Sequence, residues 1–426
     1  MSTHPLYTKK VLPNGVTLLT VPIPTALSIT MSVFVKAGSR YETKPVNGIS
    51  HFLEHLHFKG TKKFPTAKKL SEIVDSIGGE FNANTGKEHT QYFIRASSEH
   101  LPLITEVLTD LVQQPLFNEK EIEREKGVII EEINMYKDNP QIHIESLFEE
   151  TMWPQTPLGW DIAGTAEVIR AIKKQDIVNY RKQWYQPSNI IIAVAGKFDQ
   201  AQLEREIEAL WSKLPGKAVG RIRPANDRQA APILAVQNKQ TEQAHMMVGF
   251  KGLDYDDKRN PELQILSAVL GGGMSSRLFI QIRERRGLAY YVGSSMNNYL
   301  DTGNFYVRAG LKVASAPEAL EVILSELRKV REQGISTREL NKAKEYIKGK
   351  VVLAMEDPHG TLDWYLTQAA FAKKIETPKE AFAKLEKVTG DQVQALAAQL
   401  FQKKSLVAAV IGPFADKSVF ERRLKL

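Results

Sequence analysis

Hydrophobic and polar positions along this chain follow two periods, two residues and about 3.6. The changes of period mark out an ordered series of elements. Val16 to Val21 and Ser28 to Lys36 have strand composition. Gly48 to Phe58 reads as a helix that is apolar almost all round, and therefore buried. Leu70 to Ile77 is a second helix, stopped by Gly78-Gly79. Glu80 to Ala96 reads as a hairpin turning near Gly86. Leu101 to Val112 and Glu119 to Tyr136 are helical, the latter ended by Asn139-Pro140. Val178 to Trp184 is helical, and Asn189 to Ala195 is a strand.

The same order of element types then recurs. Tyr92-Phe93-Ile94-Arg95-Ala96 is echoed by Phe305-Tyr306-Val307-Arg308-Ala309, 213 positions later (308 − 95). The run Asn189 to Phe198 is echoed by Ser405 to Phe414, with Gly196 and Gly412 216 positions apart (412 − 196). Residues 215–231, rich in Gly, Pro, Arg and Ala, read as the connection between the two copies. The expected architecture is α+β: two duplicated domains, 1–214 and 232–426, each a mainly antiparallel sheet packed with helices. A repeat also provides an internal control. Features shared by both halves concern the fold, and features of one half are candidates for chemistry.

Composition narrows the chemistry further. The chain has 426 residues, 42% hydrophobic and 25% charged, as in ordinary globular proteins. Its net charge of +8 is spread along the chain, with no Lys/Arg block of the kind that marks nucleic-acid binding. Cysteine is absent, so disulfides, thiolate ligands and a Cys nucleophile are excluded, and any metal must be held by His and carboxylates. The stretch MSTHPLYTKKVLPNG has no apolar signal core, and the longest apolar run, near Ile190 to Ala195, is too short to span a membrane. A cytoplasmic protein without membrane or nucleic-acid partners is the expectation.

The segment Gly48 to His55 contains H-x-x-E-H: His51, Glu54 and His55. On a helix, His55 lies about 40° from His51, and Glu54 about 60° to the other side, so all three share one face. Two imidazoles at i and i+4 can hold one metal and leave a position open for water, and a carboxylate beside them can take a proton from that water. Accidental decoration of a buried helix by two His and a Glu would be costly, and a metal removes the cost. The equivalent second-half segment, near Glu262 to Leu270, has no His, so the motif is not a requirement of the fold. A third ligand must come from elsewhere. The helix from Glu119 offers Glu121, Glu123, Glu125, Glu131 and Glu132, and spacing alone does not choose among them. Val128-Ile129-Ile130 implies that one of the pair Glu131 and Glu132 turns inward.

HFLEHLHFKGT (His51 to Thr61), GGEFNANTGKEHTQY (Gly78 to Tyr92) and EREKGVIIEEINMYKDNP (Glu123 to Pro140) resemble the inverzincin peptidases. That family contains pitrilysin, insulin-degrading enzyme and the mitochondrial processing peptidase. The likeness is strongest to the short, two-domain members related to the processing peptidase's catalytic subunit, and it covers nearly the whole chain. It implies a zinc-dependent endopeptidase or oligopeptidase acting on unfolded peptides or leader sequences, with Glu54 as general base. By the same resemblance Glu132 is the third ligand, with Glu131 the near alternative, and Glu125 supports the site. Substrate would add as a strand along Phe81, Asn82, Ala83, Asn84 and Thr85. Arg283 and Tyr290 would bind the substrate carbonyl and steady the oxyanion. Arg285, Arg286 and Tyr291 are close enough in sequence to be confused with them. The resemblance further implies half of a clam-like shell, closed by a second copy in a homodimer. The competing reading is a non-catalytic peptide-binding or assembly subunit, of which the family has examples, but these typically lose the H-x-x-E-H residues. Gly271-Gly272-Gly273 is not a phosphate loop, since no Lys-Ser/Thr follows. His57, His89 and His143 are given no role.

Overall fold

A computed structural model describes residues 6–220, 222–225 and 229–425. Residues 221 and 226–228 of the expected connection, and residues 1–5 of the N-terminal stretch, lie outside the described residues. The chain forms two compact units. One comprises Met1–Asn134, Trp160–Arg223 and Leu353–Thr377, and the other Met135–Gly159, Pro224–Val352 and Pro378–Leu426. Two segments thus cluster with the far part of the sequence rather than with their neighbours.

The first unit is built on a six-stranded sheet: β1 (Thr8–Val11), β2 (Thr17–Pro22), β3 (Ser28–Val35), β4 (Glu80–Thr85), β5 (Thr90–Ser97) and β6 (Ile190–Gly196), in the order β1-β2-β6-β3-β5-β4. Every pair is antiparallel except β2 with β6. β6, Ile-Ile-Ile-Ala-Val-Ala-Gly, is buried along its whole length, as a continuous run of mainly β-branched residues in a central strand should be. β4, Glu-Phe-Asn-Ala-Asn-Thr, alternates exposed and half-buried positions, the pattern of an edge strand with one face covered. Its hairpin turn is tied down from Ser39 and Arg40, whose amides donate to the carbonyls of Gly86 and Lys87, and by the buried Arg40–Glu88 ion pair.

Helices α1 (Ile49–His57), α2 (Ala67–Asp75), α3 (Leu101–Gln113), α4 (Glu119–Asp138), α6 (Ala166–Ala171), α7 (Lys174–Trp184) and α8 (Gln200–Trp211) belong wholly or mainly to this unit; between α4 and α6 runs α5 (Pro140–Met152). The apolar stripe of α1, Phe52, Leu53 and Leu56, lies in the core with Ile29, Val33, Tyr92 and Ile94 of the sheet. Helix Pro358–Phe371 packs on β2, β3 and β6 of the same unit.

The second unit has a five-stranded sheet: β7 (Ile233–Asn238), β8 (Gln243–Lys251), β9 (Ala289–Asn298), β10 (Gly303–Lys312) and β11 (Val407–Gly412), in the order β7-β11-β8-β10-β9. This is the order of the first sheet without its outermost strand, again with one parallel pair, β7 with β11. The duplicated, mainly antiparallel α+β architecture expected from the sequence is what forms. α5 joins this unit because Ile144, Phe148 and Met152 enter a core with Met247, Val407, Ala409 and Ile411. Helix α9 (Asn260–Gly271) follows β8 as α1 follows β3. No helix among the described residues is long and apolar enough to cross a membrane.

Candidate metal centre

α1 divides cleanly by face. Phe52, Leu53, Leu56 and His57 are buried in the core, while His51, Glu54 and His55 are half-buried on the other side. The helix is preceded by Gly48 at the N-cap, whose φ of +98° and tight packing leave no room for a side chain. A Cβ there would stand 2.5 Å from the Ala163 carbonyl oxygen.

The structure brings Glu132 to the two histidines. His51 Nε2 and His55 Nε2 are 3.2 Å apart. Glu132 offers Oε1 at 3.7 Å from His51 Nε2 and Oε2 at 3.5 Å from His55 Nε2. Among the described residues, these are the one group of three or more His and carboxylate side chains whose ligand atoms converge, all within 4.8 Å of one another. Ligand atoms about 2.1 Å from one zinc ion at tetrahedral angles stand about 3.4 Å apart, so the donor set fits zinc in kind and in spacing. Glu131 is exposed on the other side of α4.

Glu125, only 1% exposed, lies about two helical turns before Glu132 on α4. Its Oε1 accepts a hydrogen bond from His55 Nδ1 at 2.8 Å, and its Oε2 is 2.8 Å from Lys59 Nζ. Burial opposes ionisation of Glu125, but the hydrogen bonds from His55 and Lys59 outweigh it and hold the carboxyl below its ordinary range. The proton on His55 is thereby placed at Nδ1, which leaves the Nε2 lone pair directed at His51 and Glu132. Burial, reinforced by His55, lowers the pKa of His51 and keeps that imidazole neutral.

Glu54 does not join the converging set. Its Oε2 accepts a hydrogen bond of 2.5 Å from Thr85 Oγ1, at the end of β4. Burial raises its pKa, the charge of Glu132 adds to this, and the Thr85 hydrogen bond opposes it. A carboxylate made more basic beside a candidate metal site is suited to accept a proton. β4 is the sheet edge. Phe81, Ala83 and Thr85 are half-buried, Phe81 packing on Phe58 with ring centres 5.2 Å apart, while Asn82 and Asn84 are exposed.

Arg283 and Tyr290 lie in the second unit. Arg283 is exposed on a π-helical turn, Phe279–Glu284, with its guanidinium over the Phe279 ring. The chain reverses at Gly287, φ +60°, and enters β9, where Tyr290 is 53% exposed. Tyr291 turns the other way and meets His245 Nδ1 at 3.0 Å, while Arg286 is engaged by Gln281. Of the near alternatives, then, Tyr291 and Arg286 are held in local contacts.

His57 and His89 serve packing. His57 is fully buried, its Nδ1 donating to the Leu53 carbonyl at 2.7 Å and its ring stacked on Tyr185. His89 stacks on Phe34. Burial, with Arg181 adding to it, pushes His57 down to about 3, and burial pushes His89 down to about 4. Both folded values lie below the unfolded value of about 6.5. The stability these groups contribute is therefore complete above that pH and is lost as pH falls below it, because the unfolded chain takes up protons that the folded chain refuses. The unfolding free energy of chelator-treated protein should fall steadily from pH 6.5 to pH 4, by up to about 1.4 kcal/mol per histidine per pH unit, and the melting temperature should fall with it. An unchanged melting temperature across that window would contradict this.

Two contributors carried no motif. Lys59 lies in the turn just after α1, four residues beyond His55, and from there reaches Glu125. Glu42, described below, gave no local signal at all.

Residues 18–166 match the family described as Insulinase (Peptidase family M16), and residues 171–347 match the description Peptidase M16 inactive domain. An uncharacterized zinc protease of Streptomyces coelicolor is 34% identical over 412 residues, covering 95% of this chain and 89% of that protein. This chain belongs to the M16 peptidase family. The uncharacterized zinc protease YmxG of Bacillus subtilis, another relative, is 34% identical over 399 residues, covering 93% and 96% of the two chains. Among solved structures, a protease from Helicobacter pylori superposes with a TM-score of 0.90 at 24% identity, covering 96% of this chain and 99% of that one. An M16 inactive-domain protein from Pseudomonas fluorescens gives 0.88 at 18% identity, covering 96% and 98%; at such identities the likeness is one of fold. The two M16 matches divide as the site does. The converging His and Glu side chains fall in residues 18–166, and among the described residues 171–347 contain no such set.

Proposed function

We propose that this M16 chain is a zinc-dependent endopeptidase or oligopeptidase that hydrolyses unfolded peptides or leader sequences. The observation that carries the reading is the convergence of His51, His55 and Glu132 beside a Glu54 that stands outside the ligand set. His51, His55 and Glu132 would hold the ion, and Glu125 orients His55. Zinc, when bound, supplies a Lewis acid and acidifies water. Glu54 accepts the proton of the attacking water and passes it to the leaving amine nitrogen. Thr85 holds the carboxylate of Glu54 and closes the edge strand, so the base is fixed relative to the place where an added strand would lie.

Substrate would pair along Phe81, Asn82, Ala83 and Asn84 by main-chain hydrogen bonds, which accept peptides of varied sequence. Arg283 and Tyr290 would bind the substrate carbonyl and stabilise its developing negative charge. Both are exposed, as substrate-binding groups in the free protein must be. The presence of the ligand set and of this pair in one chain favours a homodimer over a heteromer, and the cytoplasm is the expected compartment.

The test is digestion of a mixed library of unfolded peptides, with and without a chelator. Hydrolysis that chelation abolishes and zinc restores is expected. Cleavage that survives complete removal of metal would overturn the reading, and peptide binding without cleavage at full zinc occupancy would point to a binding or assembly subunit.

A further inference from the structure

The first candidate ligand, His51, stands in the first turn of α1, two residues after the helix begins at Ile49. That turn is the part of a helix most prone to fray, because its amides have no partners within the helix. The residue at the N-cap, Gly48, has no side chain to supply one.

The missing acceptor comes from outside the helix. Glu42 follows the short turn Ser39–Tyr41 and is 3% exposed. Its Oε2 accepts from the Gly48 amide at 2.7 Å and from Asn47 Nδ2 at 2.9 Å, and its Oε1 accepts from the Ser50 amide at 2.8 Å. One carboxylate therefore spans the start of the helix and grips the residue immediately before His51. Burial pushes its pKa up to about 7, against the hydrogen bonds from Ser50, Asn47 and Gly48; in its ionised form it lies at the positive end of the helix dipole. The Ser50 hydroxyl is fixed in turn by the Tyr180 hydroxyl at 2.7 Å, and Tyr180 donates to the Gly38 carbonyl at 3.2 Å. On the other side, Asn47 Nδ2 reaches the Asp161 carbonyl at 3.0 Å.

We infer that Glu42 is a positioning residue of the metal centre: by holding the first turn of α1 it sets the place of His51 relative to His55 and Glu132. His55, a full turn further along, has its own anchor in Glu125, whereas the ring nitrogen of His51 that faces away from the set, Nδ1, is buried without a hydrogen-bond partner among the described residues. With no side-chain partner on Nδ1, His51 is placed through the backbone of the first turn, which Glu42 grips at Gly48 and Ser50. The turn that this carboxylate holds is the one that carries His51. The inference rests on the zinc reading of the preceding subsection.

The test is Glu42→Gln, which keeps the shape but replaces one of the two acceptor oxygens by a donor. Zinc affinity is measured on the folded protein by chelator competition, alongside the melting temperature and, at saturating zinc, kcat and KM for a peptide. Ile207→Ala, a buried truncation on α8 of the same unit, serves as the control for general destabilisation. Glu42→Gln should weaken zinc binding by about tenfold or more, the scale of outer partners in metal sites, and lower kcat with KM unchanged. Ile207→Ala should lower the melting temperature and leave zinc affinity as it was. If Glu42→Gln does not fold, Glu42→Asp, which keeps the charge and withdraws it by one methylene, is read the same way. Wild-type zinc affinity in the Glu42 variant would overturn the inference and leave Glu42 as a cap. Absence of zinc binding by the wild-type protein would instead remove the reading on which the inference stands, an outcome distinguishable from the first.

Discussion

Glu54→Gln will retain zinc and lose peptide hydrolysis by about 10²- to 10⁴-fold, the usual contribution of a positioned general base. The substitution is nearly isosteric, and the side-chain oxygen of Gln can still accept the Thr85 hydroxyl hydrogen bond that the carboxylate now accepts. The fold of α1 and the convergence of His51, His55 and Glu132 should therefore be unaffected. What changes is the capacity to take up a proton, which an amide lacks. Zinc content by metal analysis and turnover on an unfolded peptide, measured on the same preparation, separate the two. Near-normal turnover would rule Glu54 out as the base, and loss of zinc would mean that it takes part in holding the metal.

His51→Ala and Glu132→Gln should each lose zinc, and with it activity. The loss should exceed the 10- to 100-fold typical of outer partners in metal sites, because a ligand atom itself is removed. Glu132→Gln is the more discriminating variant, since its neighbour Glu131 offers the same chemistry one residue away. Glu131→Gln should keep zinc, because Glu131 is exposed on α4 while Glu132 stands 3.5 and 3.7 Å from the two imidazoles. Full occupancy and activity in Glu132→Gln, with loss in Glu131→Gln, would reverse the assignment. Metal analysis after dialysis against a zinc buffer reads all three variants.

The difference between these two glutamates is written in the helical periodicity of α4. The buried positions of α4 are Ile122, Glu125, Ile129 and Ile133, a stripe at helical spacing. At 100° per residue Glu132 falls about 20° from Glu125, and Glu131 about 120° away. The apolar run Val128-Ile129-Ile130 hid this stripe, since Val128 proves to be exposed and only Ile129 is fully buried. Helix α5 has no local periodic signal of comparable strength. Its apolar residues are spread over a wide arc, and what fixes it is the core it enters with the residues of β8 and β11.

By itself the sequence determined the elements and their repetition, because strand and helix periods are local and each is imposed by one buried face. It also determined that His51, Glu54 and His55 share a surface, since three residues within five positions of one helix have no other arrangement. Tertiary structure decided that a carboxylate of α4 meets them at all, because Glu132 is 77 positions beyond His55 (132 − 55) and only the packing of α4 brings it within reach. It decided equally that Glu125 fixes the proton of His55, that Thr85 holds Glu54, and that Glu42 grips the turn before His51. The physical reason is the same in each case. A hydrogen bond or a shared ligand position depends on a separation of about 3 Å, and between residues far apart in the chain that separation is set by how the elements pack.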